Sequence, residues 1–280
     1  MKTLSVIIPA HDEAALIGDC LTSLLDSDPL PGGWQGEVLV IANGCTDTTA
    51  EIALAHRPRA AARGWVLTVI DEPLGGKLNA LNIGDARASG DVLVYLDADV
   101  TPERALIRQL AGALDRDEPR YASGRPRVKT ASTRLTGLYA RFWAGLPFVQ
   151  TGVPGFGVFA MNAAGRARWG QWPDIISDDT FARLSFAPAE RIRVKAGYHW
   201  PMVEGFANLV RVRRRQNDGV SEIAKRYPQL LTNDDKPRSG SAGLMQYFLR
   251  DPIGFAAYAA VSLAVKSPLF RSNANWARGR

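Results

Sequence analysis

The sequence predicts an α/β protein with a Rossmann-like, mostly parallel sheet flanked by helices. Four apolar segments rich in β-branched residues occur within the first hundred residues and indicate buried strands. Each is followed by a segment with the apolar spacing of a helix, and strands that alternate with helices are typical of doubly wound parallel sheets. The chain has 280 residues and is 46% hydrophobic, which is enough to bury a full core.

The first three strands and the helices after them follow one another closely. In order, these predicted elements cover residues 4–8, 16–25, 37–42, 48–56, 65–70 and 77–88. Pro9 ends the first strand at a sharp turn, and Asn43 and Gly44 close the second. The third strand leads into Gly75-Gly76-Lys77, at the start of a helix.

The fourth strand, 92–96, ends abruptly in Asp97 and Asp99. Alternation along an extended chain sends both carboxylates to the same side. Two hard oxygen ligands with open positions suit Mg²⁺ or Mn²⁺ carrying a diphosphate. The alternative is an aspartate that caps the next helix, since Thr101-Pro102-Glu103 has the pattern of a helix start.

Polar residues follow all four predicted strands. In a parallel sheet these strand ends share one edge, where ligands bind in open α/β folds. A lysine facing two carboxylates at such an edge outlines a site for a nucleoside diphosphate. The first strand is not followed by Gly-x-Gly-x-x-Gly, which argues against a dehydrogenase. Each loop by itself could be an ordinary surface loop.

Four motifs carry a resemblance to a known family. They are Val6-Ile7-Ile8-Pro9-Ala10-His11-Asp12-Glu13, Ile41-Ala42-Asn43-Gly44-Cys45-Thr46-Asp47, Gly75-Gly76-Lys77-Leu78-Asn79-Ala80-Leu81-Asn82 and Leu96-Asp97-Ala98-Asp99. In order and spacing, this set resembles family 2 glycosyltransferases over about the first hundred residues. The resemblance implies a GT-A fold, a nucleotide-sugar donor, a divalent metal ion, and transfer with inversion at the anomeric carbon.

The resemblance also implies which residues bind the nucleoside. Pro9, Ala10 and Glu13 lie in the turn that cups the nucleoside in this family. Asn43 lies where the base or the ribose is contacted. Ala42 replaces an acidic residue that is often found there, which leaves the choice of base open.

Three further positions match the part of the family that holds the phosphates. Lys77 resembles a donor-binding residue near the phosphates, Asp97 a donor-contacting residue, and Asp99 the ligand of Mg²⁺ or Mn²⁺. A metal ion at this place stabilises negative charge on the departing diphosphate.

The second half of the chain holds the predicted acceptor and catalytic residues. Segment 152–162 resembles the family's segment beneath the sugar, so Gly155 and Phe156 are expected to contact the acceptor. Asp178 and Asp179 match the acidic pair that supplies the family's catalytic base, usually from its second position; Glu is commoner in the first. A positioned base typically contributes about 10²–10⁴-fold to attack by a hydroxyl. The alternative is an acidic helix cap.

The densest charge in the chain is the run 211–217, which is either a solvated basic helix face or part of the site. The family places a Gln- and Arg-rich motif ending in Arg-Trp near this point, close to the donor phosphates. The resemblance therefore implies that Arg214 and Arg215 bind the nucleotide sugar. Gln216 stands where Trp is usual, which weakens the case for a processive polymerase.

The predicted domain organisation is a GT-A catalytic domain over 1–215 and a C-terminal helical extension over 216–280. Residues 1–100 form the nucleotide-sugar-binding half of the domain, and residues 101–215 form its acceptor-binding and catalytic half. Between the domain and the apolar helices of the extension, residues 225–243 have the composition of a loop region.

The extension contains two apolar runs, 244–249 and 253–265, and the longer is too short to span a bilayer. It is expected either to pack on the catalytic domain or to lie in an anionic membrane interface. Nearby basic residues support the second option: Lys266, Arg271, Arg278 and Arg280. The chain carries 34 basic and 28 acidic residues, and much of the excess follows Arg191. This favours a local anionic partner over nucleic acid, for which no recognition motif is present.

The expected location is cytoplasmic, at the cytoplasmic face of the membrane if the extension binds there. The first residues pass directly into a strand pattern, with no signal peptide. Cys20 and Cys45 lack metal-type spacing and are expected to be reduced thiols.

Taken together, the sequence predicts an inverting, metal-dependent glycosyltransferase that moves one sugar to a hydroxyl, for example of a lipid-linked or cell-envelope glycan. One alternative is a sugar nucleotidyltransferase, which would need a glycine-rich, basic loop after the first strand. Another is a pseudoenzyme that binds a nucleotide sugar or a glycan without catalysis. That alternative predicts lost carboxylates, whereas Asp97, Asp99 and Asp179 are all present.

Overall fold

The computed structural model describes residues 1–235 and 241–268, of which 241–245 are described by their backbone alone. The chain divides into two compact units. The first unit comprises Met1–Pro126, Val153–Asp174 and Asp178–Trp200, and the second comprises Arg127–Gly152, Ile175–Ser177 and the chain from Pro201 onwards. The predicted domain boundary after residue 215 stays a prediction.

Within the described residues the strands form one sheet. They are β1 (Lys2–Ala10), β2 (Trp34–Asn43), β3 (Trp65–Glu72), β4 (Val92–Leu96), β5 (Thr101–Pro102), β6 (Tyr121–Val128), β7 (Val158–Asn162) and β8 (Arg191–Trp200). Their order across the sheet is β3-β2-β1-β4-β7-β6-β8-β5.

The helices of the described residues are, in chain order, α1 (Ile17–Leu25), α2 (Thr49–Leu54), α3 (Arg57–Ala62), α4 (Lys77–Arg87), α5 (Leu106–Leu114), α6 (Arg134–Ala144), α7 (Pro147–Gln150), α8 (Ala163–Arg166), α9 (Asp178–Leu184), α10 (Phe206–Arg226), α11 (Ser241–Arg250) and α12 (Pro252–Lys266). Two 3₁₀ turns cover Pro188–Glu190 and Pro228–Asn233.

The strands of the first hundred residues are parallel. β1 pairs in parallel with β2 on one side and β4 on the other, and β2 pairs in parallel with β3. β7 then runs antiparallel to β4 and to β6, and β5 runs antiparallel to β8. The predicted mixed α/β class with a mostly parallel, helix-flanked sheet is confirmed, while the antiparallel strands of the second half were not foreseen.

Burial on both faces explains the continuous apolar run of β1. Leu4, Val6 and Ile8 belong to the core cluster that also includes the apolar residues of α1 and α5. Ile7 points the other way, against Gly84 of α4, where an added Cβ would lie 2.4 Å from the Ile7 side chain. The run is therefore apolar at consecutive positions because both sheet faces are covered by helices.

Two predicted helices differ in the structure. Thr101 and Pro102 were predicted to start a helix, but they form β5, which pairs with β8, and α5 begins only at Leu106. Glu103 supports this pairing, since its backbone N–H donates to the Gly197 carbonyl. The predicted helix 48–56 is present as the shorter α2, and α3, which has a proline in its first turn, follows it without having been predicted.

The second unit is built around α6, α10 and α12. α12 packs against both of the other helices. The helices predicted from the apolar runs near the C-terminus are present as α11 and α12, and none of the described helices is long and apolar enough to cross a membrane. In the predicted loop region, α10 continues to Arg226 and a 3₁₀ turn follows, while 236–240 lie outside the described residues. Arg271, Arg278 and Arg280 also lie outside them.

Candidate active site

Asn43 joins the ends of β1 and β2 to the start of α4. Its side-chain amide donates to the Ala10 carbonyl at 2.7 Å, and its side-chain oxygen accepts from the Gly76 backbone N–H at 2.8 Å. The imidazole of His11 lies 2.7 Å from the Asn43 carbonyl. Asn43 is only 2% exposed, so in this structure its amide holds three chain segments together, and its contact with a nucleoside stays a prediction.

The turn after β1 is shaped by Asp12, which has a positive φ of 50°. Its carboxylate accepts from the Thr46 backbone N–H at 2.5 Å and so ties this turn to the loop after β2. Pro9 and Ala10 end β1 next to this turn, and the Glu13 backbone N–H donates to the Thr49 hydroxyl at 2.7 Å. The turn is therefore fixed from both sides, as a rim of a ligand site requires.

The same turns bring His11, Asp12 and Cys45 together, with one ligand atom of each within 4.8 Å of the others. The Asp12 carboxylate is already used by the loop at Thr46. Burial raises the pKa of the Cys45 thiol, which keeps it protonated and makes it a poor metal ligand. We therefore assign this cluster to the support of the turn.

Asp97 and Asp99 lie on a tight turn after β4. The strand ends at Leu96, and the Val100 backbone N–H donates to the Asp97 carbonyl at 3.1 Å. The chain therefore turns at this point, although an extended conformation was predicted from the sequence. The two carboxylates are nevertheless both partly exposed, while Ala98 and Val100 are buried. The turn thus presents the pair at the carboxyl end of a buried strand.

Lys77 is the first residue of α4, and its ammonium bridges two carboxylates. Its Nζ lies 3.0 Å from Oδ1 of Asp97 and 3.0 Å from Oδ2 of Asp178. The sequence suggested Asp97 and Asp99 as the facing pair, whereas the second partner comes from α9. The bridge therefore connects the two acidic clusters that lie 81 positions apart in the chain.

These charges shift each other's protonation. Burial raises the pKa of Asp97 to about 6; Lys77 opposes this rise, and Asp99 and Asp178 add to it. Burial also lowers the pKa of Lys77, but the charges of Asp178 and Asp97 outweigh it, so the net shift is upward. Lys77 is therefore positively charged at neutral pH, in a cluster that is negative overall.

Asp178 and Asp179 open α9, where the helix dipole favours negative charge. Asp178 is buried and engaged by Lys77. Asp179 is partly exposed, and its Oδ1 accepts from the Thr180 backbone N–H at 2.7 Å. The neighbours therefore differ in exposure: Asp178 is buried and Asp179 is partly exposed.

The glycine-rich segment lies beside the turn after β4. The Asp97 backbone N–H donates to the Gly157 carbonyl at 2.9 Å, and the Tyr198 hydroxyl donates to the Phe156 carbonyl at 2.7 Å. Gly155 has a φ of +77°, and an added Cβ would lie 1.8 Å from the Tyr121 hydroxyl. No other residue fits at that position without rearrangement.

Arg214 and Arg215 belong to α10, in the second unit. The Arg214 guanidinium donates to the carbonyls of Ala264 at 3.1 Å and Ser267 at 2.9 Å, at the C-terminal end of α12. Cations stabilise that end of a helix. The structure thus gives Arg214 a structural contact, and the expected role of both arginines at the donor stays a prediction.

A half-buried ion pair between Asp85 and Arg166 was not predicted from the sequence. The Asp85 carboxylate accepts from the Tyr95 hydroxyl at 2.6 Å, the Trp172 indole at 2.7 Å and Arg166 Nε at 2.8 Å. Asp85 lies on α4 eight residues after Lys77, a spacing that places both on one helix face. That spacing was the only local signal available.

The carboxylates fit a divalent metal ion. Asp97, Asp99, Asp178 and Asp179 act electrostatically on one another or on Lys77, so four acidic side chains share a region with one ammonium. Hard oxygen donors at a partly open turn suit Mg²⁺ or Mn²⁺, which keep positions for phosphate oxygens. Such a cluster can hold a metal–diphosphate group and provide a carboxylate base.

Comparison with known proteins shows the family of the chain and its fold. The model of the family "Glycosyl transferase family 2" matches residues 5–184. A probable glycosyltransferase of Bacillus subtilis, YdaM, is 32% identical over 140 residues, which are 48% of this chain and 32% of that protein. The chain spans about a third of the length of the first curated relatives that it matches.

Two solved structures share the fold. The mannosyltransferase PcManGT from Pyrobaculum calidifontis, in complex with GDP-Man and Mn²⁺, gives a TM-score of 0.56 at 20% identity, covering 94% of this chain and 75% of that chain. Glucosyl-3-phosphoglycerate synthase from Mycobacterium tuberculosis, with Mn²⁺ and UDP-glucose, gives 0.51 at 24% identity, covering 85% and 81%.

Proposed function

The chain belongs to glycosyl transferase family 2, and we propose that it moves one sugar from a nucleoside-diphosphate sugar to a hydroxyl acceptor with inversion at the anomeric carbon. The observation that carries the proposal is the Lys77 bridge between Asp97 and Asp178. It joins a positive charge suited to phosphate to the acidic pair that would supply a base. Lys77 and Asp97 follow the carboxyl ends of the parallel strands β3 and β4, where open α/β folds bind ligands.

The proposed donor site is the rim formed by the ends of β1, β2 and β4 and the start of α4. Pro9, Ala10, Glu13 and Asn43 line its nucleoside end, and Lys77 and Asp97 its phosphate end. The two solved relatives carry GDP-Man and UDP-glucose, so the fold accommodates more than one base and sugar. Ala42, which lacks a polar side chain, leaves the base undetermined.

A divalent ion, Mg²⁺ or Mn²⁺, is proposed to bind Asp99. When bound, it supplies charge stabilisation for the departing diphosphate. Asp97 is held by Lys77, so it serves better as a donor contact than as a metal ligand. The metal proposal also draws support from the Mn²⁺ named with both solved relatives.

Asp179 is proposed as the catalytic base. Attack with inversion needs a base on the side of the acceptor, because the hydroxyl must lose its proton as it attacks. Asp178 is buried and paired with Lys77, whereas Asp179 is partly exposed and stands at the second position of the pair, from which the family usually supplies its base. Gly155 and Phe156 are proposed to hold the acceptor, since the backbone approaches closely there.

The acceptor is proposed to be a hydroxyl of a lipid-linked or cell-envelope glycan. The basic and apolar C-terminal helices support an acceptor presented at the cytoplasmic face of an anionic membrane. Arg214 and Arg215 remain proposed phosphate contacts, which would require Arg214 to leave the end of α12.

Thermal unfolding with a panel of nucleoside diphosphates and nucleotide sugars, with and without Mn²⁺, tests the donor site without knowledge of the acceptor. Ligand that binds the folded state raises the unfolding temperature by mass action. We expect a Mn²⁺-dependent rise with one base in the wild type and loss of that dependence in Asp99→Asn. Asp19→Asn, an exposed change on α1, is the matched control. If none of the nucleotides raised the unfolding temperature, the donor site would be refuted.

Asp179→Asn separates binding from catalysis. We expect transfer to fall by about 10²–10⁴-fold, the usual contribution of a general base, while donor affinity stays within a few fold. A coupled nucleotide-release assay gives the rate, and NMR of the anomeric proton gives the stereochemistry of the product. Intact transfer with lost donor binding would reverse the roles assigned to Asp99 and Asp179, and a retained anomeric configuration would refute inversion.

A further inference from the structure

α12 has two faces of different chemistry. Gly254, Ala257 and Val261 are buried, where the helix packs against α6 and α10. On the same side, the Tyr258 ring stacks on Tyr139 with centroids 5.5 Å apart. The inward face is therefore occupied by an aromatic and aliphatic core within the second unit.

The outward face of α12 is an apolar stripe. Ile253, Ala256, Ala260 and Leu263 are all exposed. Their spacing of three, four and three residues places them on one side of a helix. Ile253 is 64% exposed and Leu263 is 69% exposed. Large aliphatic side chains are thus aligned toward the outside of the unit.

The end of α11 extends this stripe. Phe248 and Leu249 are exposed, and the Phe248 ring lies edge-on to Phe255 of α12 at 5.6 Å. We define the apolar face by its six exposed members: Phe248, Leu249, Ile253, Ala256, Ala260 and Leu263. Contiguous exposed apolar surface of this kind marks interaction sites far more often than single exposed residues do.

The apolar face is held in place at both ends of α12. The Arg141 guanidinium donates to both carboxylate oxygens of Asp251 at the N-terminal end, at 2.9 and 2.7 Å. Arg214 donates to carbonyls at the C-terminal end, including that of Ser267. Asp251 is the only acidic residue within 241–268, and its charge is paired with that of Arg141.

Two basic residues flank this face, in a unit with an excess of basic side chains. Arg250 and Lys266 are exposed at its two ends. The described residues of the second unit contain twelve basic and six acidic side chains, whereas the first unit contains 17 basic and 22 acidic. In sequence, 236–240 and 269–280, which adjoin α11 and α12 outside the described residues, contribute five basic residues and no acidic one.

The charge pattern favours a lipid surface over a second copy of the chain. Two copies joined through this face would bring basic ends together in either orientation, because Arg250 and Lys266 have the same sign. An anionic membrane supplies the opposite charge and an apolar layer beneath it. α12 has 15 residues and spans about 22 Å, too short for a hydrocarbon core of about 30 Å but suited to lying in the interface plane.

We propose that the apolar face is a membrane-docking surface that inserts into the headgroup region of an anionic lipid bilayer. Ile253 and Leu263 provide the apolar anchors, and Arg250 and Lys266 contact lipid phosphates. This surface goes beyond the proposed transfer reaction and does not depend on it, because vesicle binding requires neither donor nor acceptor.

Co-sedimentation of the full chain with vesicles tests this surface. One set contains equal parts of phosphatidylglycerol and phosphatidylcholine, and the other contains phosphatidylcholine alone. We expect the wild type to bind the anionic vesicles and Ile253→Ser/Leu263→Ser to bind them at least about tenfold more weakly, because two large apolar anchors are lost. Leu231→Ser, which changes an exposed leucine of the second unit outside the apolar face, should bind like the wild type.

The double variant Arg250→Gln/Lys266→Gln tests the charged ends. We expect its affinity for anionic vesicles to fall about 25-fold, at about fivefold per basic residue, and its affinity for neutral vesicles to stay unchanged. Unchanged thermal unfolding of each variant shows that the fold is intact. Equal vesicle binding by the wild type and Ile253→Ser/Leu263→Ser would overturn the proposal. So would a wild-type dimer in light scattering that becomes monomeric in this variant without any vesicle binding, since the occupant would then be a second copy.

Discussion

Lys77→Met removes the ammonium that lies 3.0 Å from a carboxylate oxygen of both Asp97 and Asp178. At an effective dielectric constant of about 20, each contact corresponds to about 5 kcal/mol of Coulomb attraction before desolvation. Desolvation of the charged groups costs several kcal/mol, and the Lys77 side chain keeps 28% exposure, so much of this attraction is offset. We expect the variant to lose about 2–4 kcal/mol of unfolding free energy at about pH 7.5.

The loss should also depend on pH, in a direction that follows from Asp97. Burial raises the pKa of Asp97 to about 6 even while Lys77 opposes the rise, so removal of Lys77 raises it more. A carboxyl group with a raised folded-state pKa binds its proton more tightly in the folded state, so it destabilises most at high pH and least at low pH. The deficit of Lys77→Met should therefore shrink between about pH 8 and about pH 5.

Urea denaturation of the wild type and Lys77→Met, repeated across that pH range, measures both effects. Arg59→Met is the control, because Arg59 and Asp26 form an exposed ion pair. Its loss should change the free energy of unfolding by about 0.5 kcal/mol or less. A Lys77→Met deficit no larger than that of the control would refute the buried bridge. A deficit that grows toward low pH would refute the assigned direction of the Asp97 shift.

Two further variants test the fold around the site. Gly155→Ala should cost about 2–4 kcal/mol of unfolding free energy and impair transfer, because its Cβ meets the Tyr121 hydroxyl and its φ is positive. Gly112→Ala is the control: this glycine lies in open space on α5, so the change should stabilise the protein by about 0.5–1 kcal/mol. A hydrogen bond from Arg168 lowers the pKa of Glu190, so this pair stabilises above the ordinary Glu value and loses that contribution as the pH falls through the lowered value. Glu190→Gln should therefore lose about 1 kcal/mol of unfolding free energy at about pH 7, and this deficit should shrink as the pH falls below the ordinary Glu value, as followed by thermal unfolding.

Local patterns were sufficient for the parallel half of the sheet. β4 could be predicted because a strand covered by helices on both faces is apolar at consecutive positions, and all five of its residues are buried. Its end was marked by the change to Asp97. α12 was located by its continuous apolar run, 253–265. These features were predictable because each depends on residues close together in the chain.

Contacts between residues far apart in the chain could not be predicted from the sequence. Nothing near Thr101 indicates that it will pair with His199, so its helix-start pattern was misleading. Likewise, the sequence placed a lysine opposite two carboxylates but not Asp178 as one of them, because that contact depends on how α9 meets α4. Asp85 was missed because its partners come from three separate segments.

The charges at the site also constrain how a donor could bind. Asp97, Asp99, Asp178 and Asp179 outnumber the ammonium of Lys77, which pairs with two of them. A nucleoside diphosphate is itself an anion, so these residues alone would repel it. Lys77 cannot serve the phosphates without releasing Asp97 or Asp178, which leaves the carboxylates still less compensated. The proposed divalent ion at Asp99 would resolve this conflict, because it would attract both the carboxylates and the diphosphate. We therefore expect donor binding to this site to depend on a divalent metal ion.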